Sequence, residues 1–131
     1  MAEAGPLYLV DDDPALRSAL AMRLRLAGYR VASFASGAGL LGALAEDARG
    51  CAVLDLCMPE MDGLELQRAL RTRAPGVVVV LLSGDIDAGS LQCALQQGAA
   101  AVLQKPISGA ALIEVLERAL AQGRAISPGS G

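Results

Sequence analysis

The segment AVLDLCMPEMDG, residues 52–63, decides how this chain folds. Its first residues are apolar and few, which is typical of a short strand buried on both faces of a sheet. The strand ends in an acidic residue, Asp55, and Pro59 cannot continue a central strand. The Asp62-Gly63 pair then supplies turn residues ahead of a helix. A single Asp at a strand end often only caps a turn, so the rest of the chain must decide what Asp55 does.

Composition limits the kind of protein that this chain can be. It has 131 residues, 53% of them hydrophobic, and no change of composition before about residue 121. We therefore expect one domain over residues 1–121, followed by a Gly-, Ser- and Pro-rich tail or linker over residues 122–131. No apolar run approaches the ~20 residues that span a bilayer, and the N-terminus lacks the basic region of a secretory signal. Cys51, Cys57 and Cys93 lack CxxC spacing, which favours the reducing cytoplasm.

Charge and histidine content exclude several classes of site. The net charge is −3, so we expect no direct nucleic-acid binding by this domain. The chain has no histidine, which removes His-based acid–base catalysis and His-ligated zinc. Among the 11 basic residues only Lys105 is a lysine, and all the others are arginines. This bias marks Lys105 as a position that favours a compact ammonium group.

The chain alternates five apolar strands with five helical segments. The predicted strands are residues 6–10, 30–34, 51–55, 77–82 and 101–104. The predicted helices are residues 14–27, 36–47, 63–72 and 87–97, and one that begins after Ser108. Such alternation predicts an α/β fold with a doubly wound, five-stranded parallel sheet, joined by right-handed crossovers. In such sheets, ligands bind beyond the carboxyl ends of the strands.

Polar and charged residues stand where these strands end. Asp11 and Asp12 follow the first strand, Asp55 ends the third, Ser83 follows the fourth and Lys105 follows the fifth. With strand order 2-1-3-4-5 these residues lie on one rim, and neighbouring strands are ~4.8 Å apart, so the carboxylates can share one ion. Lys105 starts about 10 Å from the third strand, a gap that only a long side chain spans.

Three carboxylates on one rim need a counter-charge, because without one a carboxylate would have to keep a proton. Mg²⁺ prefers such oxygen ligands and commonly binds one or two carboxylates together with a phosphate. The rim would then combine a nucleophilic carboxylate, a metal ion, a hydroxyl and an ammonium group. These are the components of a phosphoryl-transfer site.

Four short motifs carry a resemblance to a known family. They are VDDD at residues 10–13, LDLCMP at 54–59 with MDG at 61–63, LSG at 82–84, and KP at 105–106. With these motifs in order at the strand ends, residues 6–121 resemble the receiver domain of two-component response regulators. The resemblance implies a flavodoxin-like (βα)5 fold.

The resemblance implies a metal-binding role for four residues. Asp55 would be the phosphoacceptor and one of the groups at the Mg²⁺ ion. Asp12 would bind Mg²⁺ directly, Asp11 directly or through water, and Cys57 through its backbone carbonyl.

It also implies how the phosphoryl group is held and where it comes from. Ser83 would donate a hydrogen bond to one phosphoryl oxygen, Lys105 would pair with another, and the Lys105-Pro106 bond would be cis. The donor would be a phosphohistidine on a sensor kinase or phosphotransfer protein. Such a domain assists only its own phosphorylation and dephosphorylation, and relatives often dimerise through the fourth helix, fifth strand and fifth helix.

Three positions depart from the family pattern. Val102 stands where an aromatic residue commonly swings inward, and Ile107 stands where Phe is frequent. We therefore expect signalling through shifts of residues 83–87 and the fourth helix. A Cys57 thiol hydrogen-bonds poorly to an attacking water, so we expect slow autodephosphorylation.

Two other functions share this fold. A receiver-like interaction module that is never phosphorylated stays open, although the acid pair, Asp55 and Lys105 argue against it. A flavodoxin-like electron carrier would need a hydroxyl-rich phosphate loop after the first strand, and three Asp residues there would repel a flavin phosphate. The tail at residues 125–131 is typical of a linker to an output domain, such as a helix-turn-helix that regulates transcription, and a stand-alone receiver stays open as the alternative.

Overall fold

The structure, a computed structural model, describes residues 6–56, 63–84 and 87–125. Strands and helices alternate along the chain as β1 (Pro6–Val10), α1 (Pro14–Leu26), β2 (Arg30–Phe34), α2 (Gly37–Ala43), β3 (Gly50–Asp55), α3 (Gly63–Arg73), β4 (Val77–Ser83), α4 (Ala88–Gln96), β5 (Ala101–Gln104) and α5 (Gly109–Ala125). Each predicted strand is present, with bounds that match to within one residue. None of the described helices is long and apolar enough to cross a membrane.

The five strands form one parallel sheet in the order β2-β1-β3-β4-β5, as the sequence predicted. In this register Val10 pairs with Leu54, Asp55 with Leu82, and Ser83 with Gln104. Each of these strands therefore ends at the same edge of the sheet. At this edge the chain leaves β1 towards β2 on one side and leaves β3 towards β4 on the other, so the strand order reverses between β1 and β3. Such a reversal is where α/β sheets open a ligand crevice.

The core lies in two layers, one on each face of the sheet. Helices α1 and α5 cover one face, and their buried residues there are Leu20, Ala21, Leu24, Leu112, Leu116 and Ala119. Helices α2, α3 and α4 cover the other face with Leu40, Leu66, Leu70 and Ala94. Because both faces are covered, β3 and β4 are almost continuously buried, which explains their uniformly aliphatic sequences.

Short polar side chains cap the starts of several helices. The Asp13 carboxylate accepts hydrogen bonds from the backbone N–H groups of Ala15 and Leu16 at the start of α1. The Ser108 hydroxyl oxygen accepts one from Ala111 at the start of α5. These side chains satisfy N–H groups that have no partner within the helix, so they fix where each helix begins.

Two helix ends differ from the sequence-based expectation. Helix α2 ends at Ala43 rather than near residue 47, because three of its seven residues are glycines and Leu44 turns into an extended, buried conformation. Helix α5 continues to Ala125, four residues beyond the predicted domain boundary at 121. Residues 126–131 lie outside the described part of the chain.

Candidate functional site

The turn after β1 presents two acidic side chains in different surroundings. Asp11 is 1% exposed, and its backbone N–H donates to the Phe34 carbonyl at 3.2 Å. Its Oδ1 accepts a hydrogen bond from the Asp13 N–H at 2.9 Å. Asp12, next to it, is exposed. One carboxylate is therefore held in the floor of the site and the other lies at its mouth.

The end of β3 carries Asp55 between β1 and β4. Asp55 is 6% exposed, and the next residue, Leu56, donates its N–H to the Leu82 carbonyl at 2.8 Å. Gly63 closes the loop that follows, since its N–H donates to the Leu56 carbonyl at 2.8 Å. A Cβ at Gly63 would lie 2.6 Å from the Leu56 Cα and 2.9 Å from the Asp55 carbonyl oxygen. Glycine is thus the residue that lets α3 begin against the end of β3.

Lys105 reaches across two strands to the acidic residues. Its backbone N–H donates to the Ser83 carbonyl at 2.7 Å, which fixes the start of the side chain beside β4. Its ammonium Nζ lies 3.2 Å from Oδ2 of Asp11 and 3.2 Å from Oδ2 of Asp55. The Lys105-Pro106 bond is cis, as the resemblance implied. The long side chain spans the predicted gap.

The charges at this rim do not balance. Ligand oxygens of Asp11, Asp12 and Asp55 lie within 4.8 Å of one another, and Lys105 is the ammonium bonded to two of them. Partial burial alone would lower the pKa of Lys105, but its hydrogen bonds and charge attraction to Asp55 and Asp11 outweigh burial, so the pKa is raised. The ammonium therefore stays charged, and it supplies one positive charge beside three carboxyl groups.

This donor set fits a hard divalent cation. All three groups offer carboxylate oxygens, two are held in fixed positions by burial, and the exposed Asp12 leaves a route from solvent. Mg²⁺ favours such oxygen ligands and keeps part of its water shell. Asp11, Asp12 and Asp55 are the described residues that would hold the ion.

Some predicted positions lie outside the described residues. Cys57, expected to provide a backbone carbonyl, lies in residues 57–62, which the structure does not describe. Residues 85–86, in the loop after β4, are also outside the described part of the chain. Ser83 lies within it, at the end of β4, and is 2% exposed. The structure thus brings Asp11, Asp55, Ser83 and Lys105 to one edge of the sheet, with Asp12 beside them.

Two of the three departures from the family pattern, Val102 and Ile107, are aliphatic packing positions, and the third, Cys57, lies outside the described residues. Val102 packs against the core layer formed with α2, α3 and α4, whereas Ile107 packs against the opposite layer. A cavity of about 360 Å³ lies beside the site, lined by Leu16, Leu20, Leu82, Lys105, Pro106 and Ile107.

Sequence reasoning did not identify two polar residues with defined contacts. Arg17 Nη1 donates to the Asp11 carbonyl at 2.6 Å, and the buried Gln67 Nε2 donates to the Ala94 carbonyl at 3.0 Å. A signal existed for Arg17, because a cation in the first turn of a helix opposes the helix dipole. Gln67 stands on the inward side of α3, where an amide needs a buried partner.

Comparison with known proteins agrees with this geometry. The family model described as "Response regulator receiver domain" matches residues 7–117. The chain is 36% identical over 129 residues to the transcriptional regulatory protein FixJ of Azorhizobium caulinodans, covering 98% of this chain and 60% of FixJ. It is 37% identical over 119 residues to the C4-dicarboxylate transport transcriptional regulatory protein DctD of Rhizobium meliloti, covering 91% of this chain and 26% of DctD. The chain thus spans only part of the length of these relatives.

Solved structures show the same fold. The crystal structure of FixJ-N superposes with a TM-score of 0.82 at 33% identity, covering 92% of this chain and 96% of that one. A CheY-like receiver domain protein from Methanospirillum hungatei gives a TM-score of 0.86 at 25% identity, covering 94% of this chain and 98% of that one. The chain belongs to the family of response regulator receiver domains, the signalling modules of two-component systems.

Proposed function

We propose that this domain accepts a phosphoryl group on Asp55 from a phosphohistidine of a sensor kinase or phosphotransfer protein. The observation that carries the proposal is the ammonium of Lys105, 3.2 Å from Oδ2 of both Asp55 and Asp11. An ammonium held beside a buried carboxylate can pair with an oxygen of a phosphoryl group added to that carboxylate. Electrostatic stabilisation of this kind is the main contribution of proteins to phosphoryl transfer.

The chemistry follows from the residues at the rim. An Asp55 carboxylate oxygen forms a bond to phosphorus, the P–N bond to the donor imidazole breaks, and the electron pair leaves with the imidazole nitrogen. Lys105 pairs with one oxygen of the transferred group, and Ser83 donates its hydroxyl to another. Later attack of water on phosphorus releases phosphate and restores Asp55. The domain assists only these two reactions on its own side chain.

Mg²⁺ is the proposed cofactor, held by Asp11, Asp12, Asp55 and the Cys57 backbone carbonyl. When bound, it supplies positive charge against the phosphoryl oxygens and the carboxylates. Asp11 and Asp55 are buried and prearranged for it, whereas Asp12 is exposed at the mouth of the site.

The domain boundaries and the kind of protein that contains this domain are also proposals. We place residues 1–121 as the receiver unit and 122–131, of which residues 122–125 continue helix α5, as the start of a linker to an output domain, in a cytoplasmic regulator of transcription. The regulatory names of FixJ and DctD support this placement.

We propose homodimerisation through α4, β5 and α5, a face on which Leu91 and Leu95 are 36% and 49% exposed. Nucleic acid and membrane are not proposed partners of this domain.

Incubation with acetyl phosphate and Mg²⁺, followed by intact-mass and peptide mass spectrometry, tests the proposal. We expect one phosphoryl adduct on Asp55, lost when Mg²⁺ is chelated beforehand and missing in Asp55→Asn. Beryllofluoride should perturb the NMR signals of Ser83 and Lys105 in the parent chain. A parent chain that takes up neither probe would instead be a receiver-like interaction module.

A further inference from the structure

Arg17 connects helix α1 back to the end of β1. It is half-buried in the first turn of α1, and its Nη1 donates to the backbone carbonyl of Asp11 at 2.6 Å. Asp11 is itself a candidate cation ligand. The guanidinium therefore contacts the backbone of a residue whose side chain belongs to the acidic cluster.

The position of Arg17 opposes the helix dipole. The amino end of a helix carries partial positive charge, so a cation in the first turn is disfavoured, whereas cations in the last turn are favoured. Arg23 and Arg25 of the same helix stand in its last turn. Arg17 thus occupies an unfavourable position, and its contact with the Asp11 carbonyl offsets that disadvantage.

The carbonyl that Arg17 binds belongs to the peptide unit linking Asp11 to Asp12. Because a peptide unit is planar and rigid, anchoring its oxygen also orients the N and Cα of Asp12. The Asp11 side chain has two anchors of its own, the Asp13 N–H and the Lys105 ammonium. Asp12 is exposed, and the peptide unit that Arg17 anchors sets the position of the backbone from which its side chain starts.

We propose that Arg17 is a positioning residue that keeps the Asp12 carboxylate within reach of Asp11 and Asp55 as a cation ligand. This inference rests on the proposed Mg²⁺ site. It predicts whether Mg²⁺ affinity rises or falls when Arg17 is replaced, because a nearby positive charge repels Mg²⁺. If Arg17 acted only through its charge, removing it would tighten Mg²⁺ binding; as a positioning residue, removing it weakens binding.

The test compares Arg17→Met with Arg25→Met in the full chain. Arg25 is a matched control, since its Nη2 donates to the Val31 carbonyl at 3.0 Å from the same helix, away from the acidic cluster. Mg²⁺ affinity is measured by calorimetric titration. We expect Arg17→Met to bind Mg²⁺ about 10-fold more weakly than the parent, the usual effect of losing an outer-shell partner, and Arg25→Met to bind it about equally. Equal or tighter Mg²⁺ binding by Arg17→Met would overturn the proposal.

A second measurement needs no metal. Hydrogen exchange of the Asp13 amide, which is bonded to Asp11 Oδ1, is followed by NMR in Mg²⁺-free protein. We expect faster exchange in Arg17→Met than in the parent or in Arg25→Met, and unchanged exchange would contradict the anchoring role. If the parent chain itself bound no Mg²⁺, the proposed function would fail, while this comparison would still decide whether Arg17 anchors the turn.

Discussion

The ammonium of Lys105 lies 3.2 Å from Oδ2 of Asp55, although the two residues are 50 positions apart in the chain. This contact exists because β5 lies two strands from β3 in the sheet and Lys105 is long enough to cross β4. It neutralises part of the charge on a carboxylate that is almost completely buried.

Removing this ammonium should destabilise the domain. Lys105→Met leaves Asp11 and Asp55 buried without their ammonium partner, and we expect a loss of about 2 kcal/mol in the free energy of unfolding. The figure is below that for a fully buried pair because the Lys105 side chain is 22% exposed. Urea unfolding measures it, and saturating Mg²⁺ should recover much of the loss. Equal stability of variant and parent in Mg²⁺-free buffer would show that the contact contributes nothing.

Alkaline pH should destabilise the domain through Cys51. Burial raises the pKa of this thiol from 9.0 to about 12, so above pH 9.0 the unfolded chain loses a proton that the folded chain keeps. The contribution of this thiol to the free energy of unfolding is fully present below pH 9.0. It falls as the pH rises toward about 12, by up to about 1.4 kcal/mol per pH unit. Urea unfolding at several pH values checks the slope. Cys51→Ala should show a shallower slope, and an identical slope would assign the effect to other groups.

The buried amide of Gln67 should stabilise the packing of α3 on α4. Gln67 Nε2 donates to the Ala94 carbonyl at 3.0 Å, and its Oε1 accepts from Gln97 Nε2 at 3.1 Å. Gln67→Leu keeps the volume and removes both hydrogen bonds, but the Ala94 carbonyl still accepts from the Ala99 N–H and Gln97 Nε2 still donates to the Leu64 carbonyl. We therefore expect a loss of about 1 kcal/mol in the free energy of unfolding. Gln96→Leu is the exposed control on α4 and should change stability by less than about 0.5 kcal/mol. Chemical denaturation compares the two, and equal effects would refute the role of the network.

Two glycines should respond in opposite directions to the same substitution. Gly63→Ala would push a Cβ to 2.6 Å from the Leu56 Cα, so we expect a loss of about 1–3 kcal/mol and slower phosphoryl uptake by the displaced Asp55. Gly42→Ala in α2 meets no atom within 4 Å and should stabilise the domain by about 0.5–1 kcal/mol. Thermal unfolding and the acetyl phosphate assay measure both variants. If Gly63→Ala left the free energy of unfolding unchanged, α3 would be able to shift away from β3 without loss of stability.

The thiol of Cys57 should lengthen the lifetime of the aspartyl phosphate. This prediction comes from the sequence, where Cys57 stands two residues after Asp55. A thiol is a weak hydrogen-bond partner for an attacking water, so Cys57→Asn should lose phosphate faster than the parent. Phosphate release after removal of the donor gives the rate. A variant that releases phosphate no faster than the parent would contradict the prediction.

Much of the fold and the site was predictable from local patterns. Aliphatic runs marked the strands, short polar residues marked the helix starts, and Asp11, Asp55, Ser83 and Lys105 followed the strands in order. A parallel sheet brings these ends to one edge whatever the details of packing. The end of α2 was not predictable in this way, because the burial of Leu44 depends on the neighbouring layer.

The sequence by itself therefore determined which residues follow each strand, and hence which groups meet at the rim. Only the tertiary structure decided how those groups are held. Gln67 donates to the Ala94 carbonyl, 27 positions away, because α3 packs beside α4, and Arg17 donates to the Asp11 carbonyl across the turn between β1 and α1. The Gln67 contact depends on the distance between two helices that are far apart in sequence, and local periodicity contains no information about that distance.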